Sequence, residues 1–419
     1  MSTHFVLRRC DKKKRREGLL DRYLPELVQT LQHQRYQRDT IRRYLVAVDT
    51  FDQWLVAHHL RVTEIDDAVL ARYVASQGSR AIRTTGHRKL PHTAVGLSHL
   101  LAVLRTQGVI PPPAPYVPTT PTEHLLANYD QQLTRVHGAA PLTRHRYLYF
   151  ARQFLQRAFP TGDLQWARLD AVQITTIVQH QTQGRRGFGR KHPGSAVRIF
   201  LRYLVLCGIL PSGLEAAVPG MRVWTYASLP EHFSSEEVAR LLALSADGTA
   251  SGRRNSALLL LLARLGLRAQ EAARVRLDDI DWHNGTLLVR AQKTPRERLL
   301  PLPDEVGQAI VAYLRDGRPA TTCREIFLTH TAPYVPLQTA SALTKLIKRL
   351  VTRAGLPRRS SGAHLFRHTA ATLMVRQNVS FKAIADVLGH QSLQTTGIYA
   401  KLDLPTLEHV ALPWPGGAQ

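Results

Sequence analysis

A long apolar run, residues 258–262 and onward, leads directly into the stretch Leu265-Gly266-Leu267-Arg268-Ala269-Gln270-Glu271. Glycine readily adopts the left-handed conformation that ends a helix, so the buried helix predicted over this run should end at Gly266. Arg268 would then lie directly beside a hydrophobic core. Glu271 follows three residues later and shares its face if a new helix begins here. Taken alone, such a pair is more often an exposed ion pair on a helix surface.

Two β-rich segments follow the Arg268–Glu271 pair along the chain. They span residues 286–290 and 298–302 and are separated by a short polar turn. Such a pattern is typical of a β-hairpin. Lys293 lies in the turn, so the sequence predicts a cation carried on a mobile hairpin.

A second basic motif reads His364-Leu365-Phe366-Arg367-His368. In a helix, His364 and Arg367 stand at positions i and i+3 and share one face. The helical spacing predicts a different, core-facing stripe made of apolar residues: Phe366, Ala370, Leu373 and Met374. The histidine and the arginine are therefore expected to point together away from that stripe. A histidine alone is more often structural, but one paired with an arginine can bind a phosphate.

The next predicted helix is short and ends at Gly389-His390. Ser380 is its expected N-cap, because a serine hydroxyl can accept the backbone N–H groups left unpaired at a helix start. Tyr399 follows nine residues after His390, in Thr396-Gly397-Ile398-Tyr399-Ala400. A tyrosine near a chain end is usually a packing residue. Here, however, one short loop and one or two helical turns separate it from His390.

In this order and spacing, the motifs resemble the catalytic domain of the tyrosine recombinase, or phage integrase, family. The family pattern is an arginine in a Gly-x-Arg-x-x-Glu context, a hairpin lysine, His-x-x-Arg, Gly-His and a nucleophilic tyrosine. The matching residues are Arg268 with Glu271, Lys293, His364 with Arg367, His390 and Tyr399. The lysine turn, Gln292-Lys293-Thr294-Pro295-Arg296, lacks the glycines often present in the family.

The resemblance implies site-specific cleavage and rejoining of DNA strands through a 3′-phosphotyrosine on Tyr399, in DNA integration, recombination or transposition. It implies no cofactor and no metal. The residues are chemically suited to a metal-free reaction. Attack on a DNA phosphodiester gives a pentacoordinate phosphorane with extra negative charge, which fixed cations can neutralise. Arg268 and Arg367 can each donate two hydrogen bonds to its non-bridging oxygens. Tyrosine ionises near pH 10 and needs help to act as a nucleophile, which His364 and the arginines can supply.

The remaining matched residues also have expected roles. Lys293 would protonate the leaving 5′ oxygen, and His390 would hydrogen-bond the phosphate or the tyrosine. Glu271 would orient the arginines or His364. Three alternatives stay open at this point: a type IB topoisomerase-like enzyme or telomere resolvase, a catalytically silent architectural DNA-binding protein, and a basic RNA-binding protein, which leaves the Tyr399 constellation unexplained.

The net charge of +25 over 419 residues points to a polyanionic partner, and double-stranded DNA fits it best. The three cysteines, Cys10, Cys207 and Cys323, form no CxxC pair, which favours a reduced compartment. The basic segment at the start lacks the apolar region of a signal peptide, and no apolar stretch is long enough to span a membrane. We therefore expect a cytoplasmic, nucleoid-associated protein that does not bind membranes.

Three blocks are predicted along the chain, and the first two look like copies. Residues 40–45 match 143–148, and residues 100–111 match 201–211, at an offset of about a hundred each time. The expected fold is mainly α, with two helical DNA-binding domains and a mostly helical catalytic domain that contains a small antiparallel sheet. The predicted map is a basic arm 1–17, repeat one 18–110, a Pro-rich linker 111–121, repeat two 122–219 (core-binding domain), a linker 220–230 and the catalytic domain 231–419.

Strand exchange between two duplexes needs four tyrosines. We therefore expect a homotetramer on paired sites. Sister recombinases encoded nearby are further candidate partners.

Overall fold

The computed structural model describes residues 18–76, 92–113, 116–185, 187–221, 230–291, 297–337, 340–356 and 362–402. The chain divides into two compact units, of which one is Ala114–Ala227 and the other combines Met1–Pro113 with Ser228–Gln419. No helix within the described ranges is long and apolar enough to cross a membrane. The predicted basic arm 1–17 and the Lys293 turn lie outside the described residues, as does most of the 220–230 linker.

The first block is helical. Its α-helices are α1 (Leu24–His33), α2 (Arg38–Ala57), α3 (Asp67–Ser76) and α4 (His92–Thr106). A 3-10 helix, Val62–Glu64, precedes α3. Apolar residues recur every three or four positions along α2, for example at Ile41, Val48 and Leu55, and this spacing brings them onto one buried face. These residues join a core made entirely from the first block.

The second block repeats this order of elements. Its α-helices are α5 (Pro121–Arg135), α6 (Pro141–Ala158), α7 (Ala171–Thr182) and α8 (Lys191–Leu206). A 3-10 helix, Trp166–Arg168, precedes α7, and the block has a core of its own.

The two blocks also end their last helices in the same way. A glycine in the left-handed region follows each helix, Gly108 with φ of 70° and Gly208 with φ of 68°. The next N–H, of Val109 or Ile209, donates to a carbonyl five residues back over 2.9 Å in both blocks. This shared ending supports the interpretation that one block is a copy of the other, and the domain boundaries given above stay a prediction.

The third block is mostly helical, as predicted. Its α-helices are α9 (Ser235–Ser245), α10 (Ala250–Leu265), α11 (Ala269–Ala273), α12 (Asp304–Asp316), α13 (Ala340–Arg353), α14 (His364–Arg376), α15 (Phe381–Leu388) and α16 (Leu393–Thr396). The 3-10 helix Gly397–Leu402 carries Tyr399. Two predicted helix ends are confirmed: α10 stops at Gly266 in the left-handed conformation, and the Ser380 hydroxyl caps α15.

A small antiparallel sheet interrupts the helices. Its strands are β1 (Ile280–Asp281), β2 (Thr286–Val289) and β3 (Arg298–Pro301), in the order β1-β2-β3. β2 and β3 form the predicted hairpin, with Val289 opposite Arg298. Leu287 and Val289 alternate with less buried neighbours and face the core of the block.

The face pattern predicted for α14 is wrong in one respect. Arg367 does not point away from the core, because it is only 9% exposed, whereas Leu373 and Met374 are half-buried. The reason is tertiary: α10 covers one side of α14, and α15 with the 3-10 helix of Tyr399 covers another. Because α14 is packed on two sides, Arg367 is buried, although a helix with one apolar face would leave this position exposed to solvent.

Candidate active site

The carboxylate of Glu271 lies at the centre of the candidate site. Arg268 and Glu271 form the first turn of α11, where the Glu271 side chain accepts the Arg268 backbone N–H over 2.9 Å and the Arg268 Nη1 over 2.7 Å. Arg298, the first residue of β3, donates Nη2 to the same carboxylate over 2.9 Å. Glu271 is 8% exposed, so this is no surface ion pair. One buried carboxylate thus orients two arginines.

Arg367 is held between the ends of two helices. Its Nη1 donates to the carbonyl of Gly266 over 2.9 Å, and its Nη2 donates to the carbonyl of Leu388. Arg268 reaches the same region, because its Nη2 donates to the carbonyl of Gly389 over 3.0 Å. Helix C-termini carry unpaired carbonyls and a partial negative charge, and a guanidinium satisfies both. The structure therefore brings the two predicted catalytic arginines to one place.

The Tyr399 side chain is buried against α14 and α15. It is 1% exposed and packs with the side chains of Val375, Ile384 and Leu388. Its hydroxyl lies 2.8 Å from Nδ1 of His368. The ring of His364 is exposed and lies one step further away, with its centroid 5.8 Å from that of His368. His368, rather than His364, is thus the direct partner of the tyrosine.

His390 is oriented from the segment that carries the tyrosine. Its Nδ1 lies 2.7 Å from the hydroxyl of Thr396, which is buried. The left-handed Gly389 turns the chain between α15 and His390. His390 therefore stands next to the carbonyl that receives Arg268, on the same side of the fold as Arg367.

Sequence reasoning missed two residues of this cluster. His368 belongs to the quoted motif and lies one helical turn after His364, so the i, i+4 spacing was a usable signal for it. Arg298 had none, because its link to Glu271 crosses from β3 to α11. The other predicted residues, Arg268, Glu271, His364, Arg367, His390 and Tyr399, lie in or beside the cluster, and Lys293 lies outside the described residues.

Comparison with known proteins shows the family of the chain that carries this cluster. The putative integrase/recombinase y4rA of Sinorhizobium fredii is 35% identical over 405 residues, which cover 96% of this chain and 96% of the relative. The chain belongs to the phage integrase family of tyrosine recombinases. The family's own sequence model matches residues 231–404, a range that contains every residue of the candidate active site.

The recombinase is also similar to two better-described proteins, one in sequence and one in fold. Tyrosine recombinase XerA of Thermococcus kodakarensis is 28% identical, and the match covers 66% of this chain and 89% of that protein. The crystal structure of a lambda integrase dimer bound to a COC′ core site has a TM-score of 0.54 at 17% identity, covering 66% of this chain and 94% of that one. The structural likeness establishes a shared fold.

Burial of the Tyr399 side chain in this recombinase favours its protonated form. Burial raises the pKa of Tyr399 to about 12, although the charge of Arg367 opposes the shift. Burial, together with the neighbouring Arg268, lowers the pKa of Arg367 to about 10, which leaves it charged at neutral pH. For Glu271, burial alone would raise the pKa, but the hydrogen bonds from Arg298 and Arg268 and the charge of Arg298 outweigh it, so the carboxyl is ionised.

Acid should destabilise the folded recombinase through His368 and His390. Burial, then nearby cationic groups that include Arg367, lower the pKa of each to about 4 from 6.5. A depressed pKa means that protons bind preferentially to the unfolded chain, so stability should be constant above pH 6.5 and fall as the pH drops toward 4. Thermal denaturation at pH 7 and pH 5 should show a lower Tm at pH 5. His368→Gln should reduce that difference, and an undiminished difference would contradict the assignment to His368.

Proposed function

We propose that this recombinase cleaves and rejoins DNA strands at a specific site, with Tyr399 forming a transient 3′-phosphotyrosine bond. One observation carries the proposal: the buried Tyr399 hydroxyl lies 2.8 Å from a nitrogen of His368 and in the field of Arg367, which interacts electrostatically with the neighbouring Arg268–Glu271 ion pair. Family membership supplies the reaction class, and this cluster supplies the residues for it.

Each group has a task in the proposed reaction. The Tyr399 oxygen attacks the scissile phosphorus and the bond to the 5′ oxygen breaks. The tyrosine hydroxyl first leaves His368, and its proton then passes to His364, whose ring lies beside that of His368. Arg268 and Arg367 stabilise the non-bridging oxygens of the phosphorane, because fixed donors act strongly in a water-poor site. Lys293 gives a proton to the leaving 5′ oxygen. His390 donates to the phosphate, and Glu271 orients the arginines.

The covalent bond stores the energy of the broken phosphodiester. A phosphotyrosine ester resembles the bond that it replaces, so a 5′ hydroxyl can attack it and restore the strand without ATP. Because the bond energy is conserved, the mechanism suits an enzyme that must rejoin the strands it cleaves, in integration, recombination or transposition. We further propose that four copies, with or without sister recombinases, assemble on paired sites, since two duplexes present four strands, and that the protein is associated with the nucleoid.

The position of the Tyr399 hydroxyl bears on when it can react. The tyrosine hydroxyl is buried, protonated and bound to His368, so it must leave that contact before it can reach a phosphate. We propose that DNA binding moves the segment 393–402 and so exposes the nucleophile. Cleavage would then be confined to protein that already holds its site.

A cationic cavity in the third block supports binding of duplex DNA. It has a volume of about 860 Å³ and lies between α10, α13 and the turn at residues 329–331. Its lining includes four cationic side chains: Arg254, Lys345, Arg349 and Arg353. Arg254 is half-buried and donates to the carbonyl of Leu328 and to the side chain of Asn255, both uncharged acceptors. Such a concentration of positive charge favours phosphate groups.

DNA affinity should therefore fall steeply with salt. Each neutralised phosphate releases condensed counterions, so the affinity should drop by roughly 10³ or more between 50 and 200 mM salt if six or more contacts form. Fluorescence anisotropy across this range measures the slope of log affinity against log salt. Arg349→Ala should reduce that slope by about one.

Arg315→Ala is the matched control, because Arg315 is exposed and pairs with the adjacent Asp316 outside the cavity. A flat salt response would contradict electrostatic binding as a whole. If both variants gave the same slope of log affinity against log salt, the cavity would not be part of the DNA-binding surface, but electrostatic binding elsewhere would stand.

A trapping experiment tests the proposed reaction directly. A site-bearing duplex with a nick just beyond the cut releases a short strand after cleavage, so rejoining fails and the covalent complex accumulates. The proposal expects a 3′-phosphotyrosine on Tyr399 and a free 5′ hydroxyl, with no loss on addition of EDTA. A 5′ linkage would refute it. Adducts on DNA of any sequence would favour a topoisomerase-like activity instead.

A further inference from the structure

Arg298 is a cationic residue that the proposed chemistry leaves without a task. It is the first residue of β3, and its side chain is only 8% exposed. Removing a guanidinium from water is costly unless a carboxylate compensates it, and the buried carboxylate of Glu271 does so over 2.9 Å. An arginine buried at this point therefore belongs to the same electrostatic unit as the catalytic candidate Arg268.

Arg298 changes the net charge of the cluster that it forms with Glu271 and Arg268. Glu271 accepts Nη1 of Arg268 at Oε1 over 2.7 Å, while Arg298 donates Nη2 to Oε2 over 2.9 Å and Nη1 to Oε1 over a longer 3.5 Å. A carboxylate and a single arginine would tend to form a bidentate, neutral pair. With a second arginine on the same carboxylate, the trio carries a net positive charge, and of the two carboxylate oxygens Oε1 is the one that holds the guanidinium of Arg268. Its side chain keeps about 32% of its surface exposed.

Arg298 also packs against the backbone beside His390. A Cβ atom added to Gly389 would lie 1.9 Å from Nη1 of Arg298, so the guanidinium occupies the space that a side chain would need. The carbonyl of the same glycine accepts Nη2 of Arg268 over 3.0 Å. Arg298 thus contacts both groups, Glu271 and Gly389, that hold the Arg268 guanidinium.

We propose that Arg298 is a positioning residue for strand cleavage, which holds Glu271 and Gly389 so that Arg268 stays fixed and the site stays positively charged. It acts on the phosphate only through Arg268. This inference rests on the proposed cleavage function. It connects the sheet to the catalytic arginine through a buried ion pair.

The first test measures single-turnover cleavage of the nicked substrate at saturating protein. Arg298→Met should slow adduct formation by on the order of 10-fold to 100-fold, the scale seen when a residue that orients a reactive group is lost. DNA affinity should change little, because the side chain is buried. Arg298→Lys keeps the charge but loses the planar fork, so its rate should lie between those of wild type and Arg298→Met.

Arg290→Met is the matched control. Arg290 follows β2 directly, and its Nε lies 2.5 Å from the buried carboxylate of Asp279, away from Glu271. Its loss also breaks an ion pair beside the sheet. Its rate should stay within about threefold of wild type, a difference smaller than 1 kcal/mol. A rate for Arg298→Met equal to that of Arg290→Met would overturn the proposal.

A double variant distinguishes positioning from general loosening of the fold. If Arg298 acts through Arg268, then Arg298→Met combined with Arg268→Ala should be no slower than Arg268→Ala alone. Multiplied defects would overturn the proposed route. Thermal denaturation identifies an unfolded Arg298→Met, in which case Arg298→Lys, alone and combined with Arg268→Ala, carries the same comparison.

The outcomes separate the two proposals. If wild-type protein forms no adduct that depends on Tyr399, the cleavage function fails, whatever Arg298 does. If wild type forms the adduct and Arg298→Met forms it equally fast, cleavage stands and the positioning role falls. Reduced rates for Arg298→Met with normal rates for Arg290→Met support both.

Discussion

Tyr399→Phe should abolish the covalent protein–DNA adduct while leaving DNA binding intact. The substitution removes only the oxygen of the proposed nucleophile, and the ring keeps its contacts with Val375, Ile384 and Leu388. His368 loses one hydrogen-bond partner, which should cost about 1 kcal/mol of stability. Denaturing electrophoresis of nicked-site reactions measures the adduct, and anisotropy measures binding.

His368→Gln serves as the comparison for this variant. It removes the resting partner of the hydroxyl but keeps the nucleophile, so adduct should still form, at an altered rate. Adduct from Tyr399→Phe at the wild-type level would place the nucleophile elsewhere in the chain. Loss of DNA binding together with loss of adduct would instead reveal a folding defect.

Arg268→Ala and Arg367→Ala should each slow cleavage by on the order of 10² or more, the effect of losing one preorganised donor to a charged transition state. Their effects on stability should differ. Arg367 is 9% exposed and bonds the carbonyls of Gly266 and Leu388, so its loss leaves two helix ends unsatisfied. Arg268 is partly exposed and leaves Glu271 paired with Arg298.

Single-turnover rates and thermal denaturation together check this pair. Arg367→Ala should show a clearly lower Tm than Arg268→Ala, although both are poor catalysts. Wild-type rates in either variant would remove that arginine from the proposed mechanism. Equal Tm values would show that the carbonyl contacts of Arg367 contribute little to folding.

Local sequence patterns predicted the individual elements that carry the site residues, but not the long-range contacts between those residues. The stop at Gly266, the hairpin and the cap at Ser380 depend on neighbours within a few residues, and all three are present in the structure. The burial of Arg367 depends on contacts with residues 21 and 101 positions away, which a helical period cannot register.

The same limit explains the partner of the nucleophile. His368 and Tyr399 are 31 residues apart and meet because the 3-10 helix that carries Tyr399 packs on α14. Arg298 reaches Glu271 over 27 residues through the sheet. The resemblance to a family supplied the candidate reactive residues, while the groups that orient them became visible only in three dimensions.

The position of Arg367 has a consequence for how such an enzyme could lose its activity over evolutionary time. Because this arginine joins the ends of α10 and α15, a lineage that drifted toward a purely architectural DNA-binding protein would pay for its replacement in folding. The constraint on Tyr399 is weaker, since phenylalanine fills the same space and only the hydrogen bond to His368 is lost. Inactive descendants are therefore expected to retain the arginine long after the tyrosine hydroxyl has disappeared.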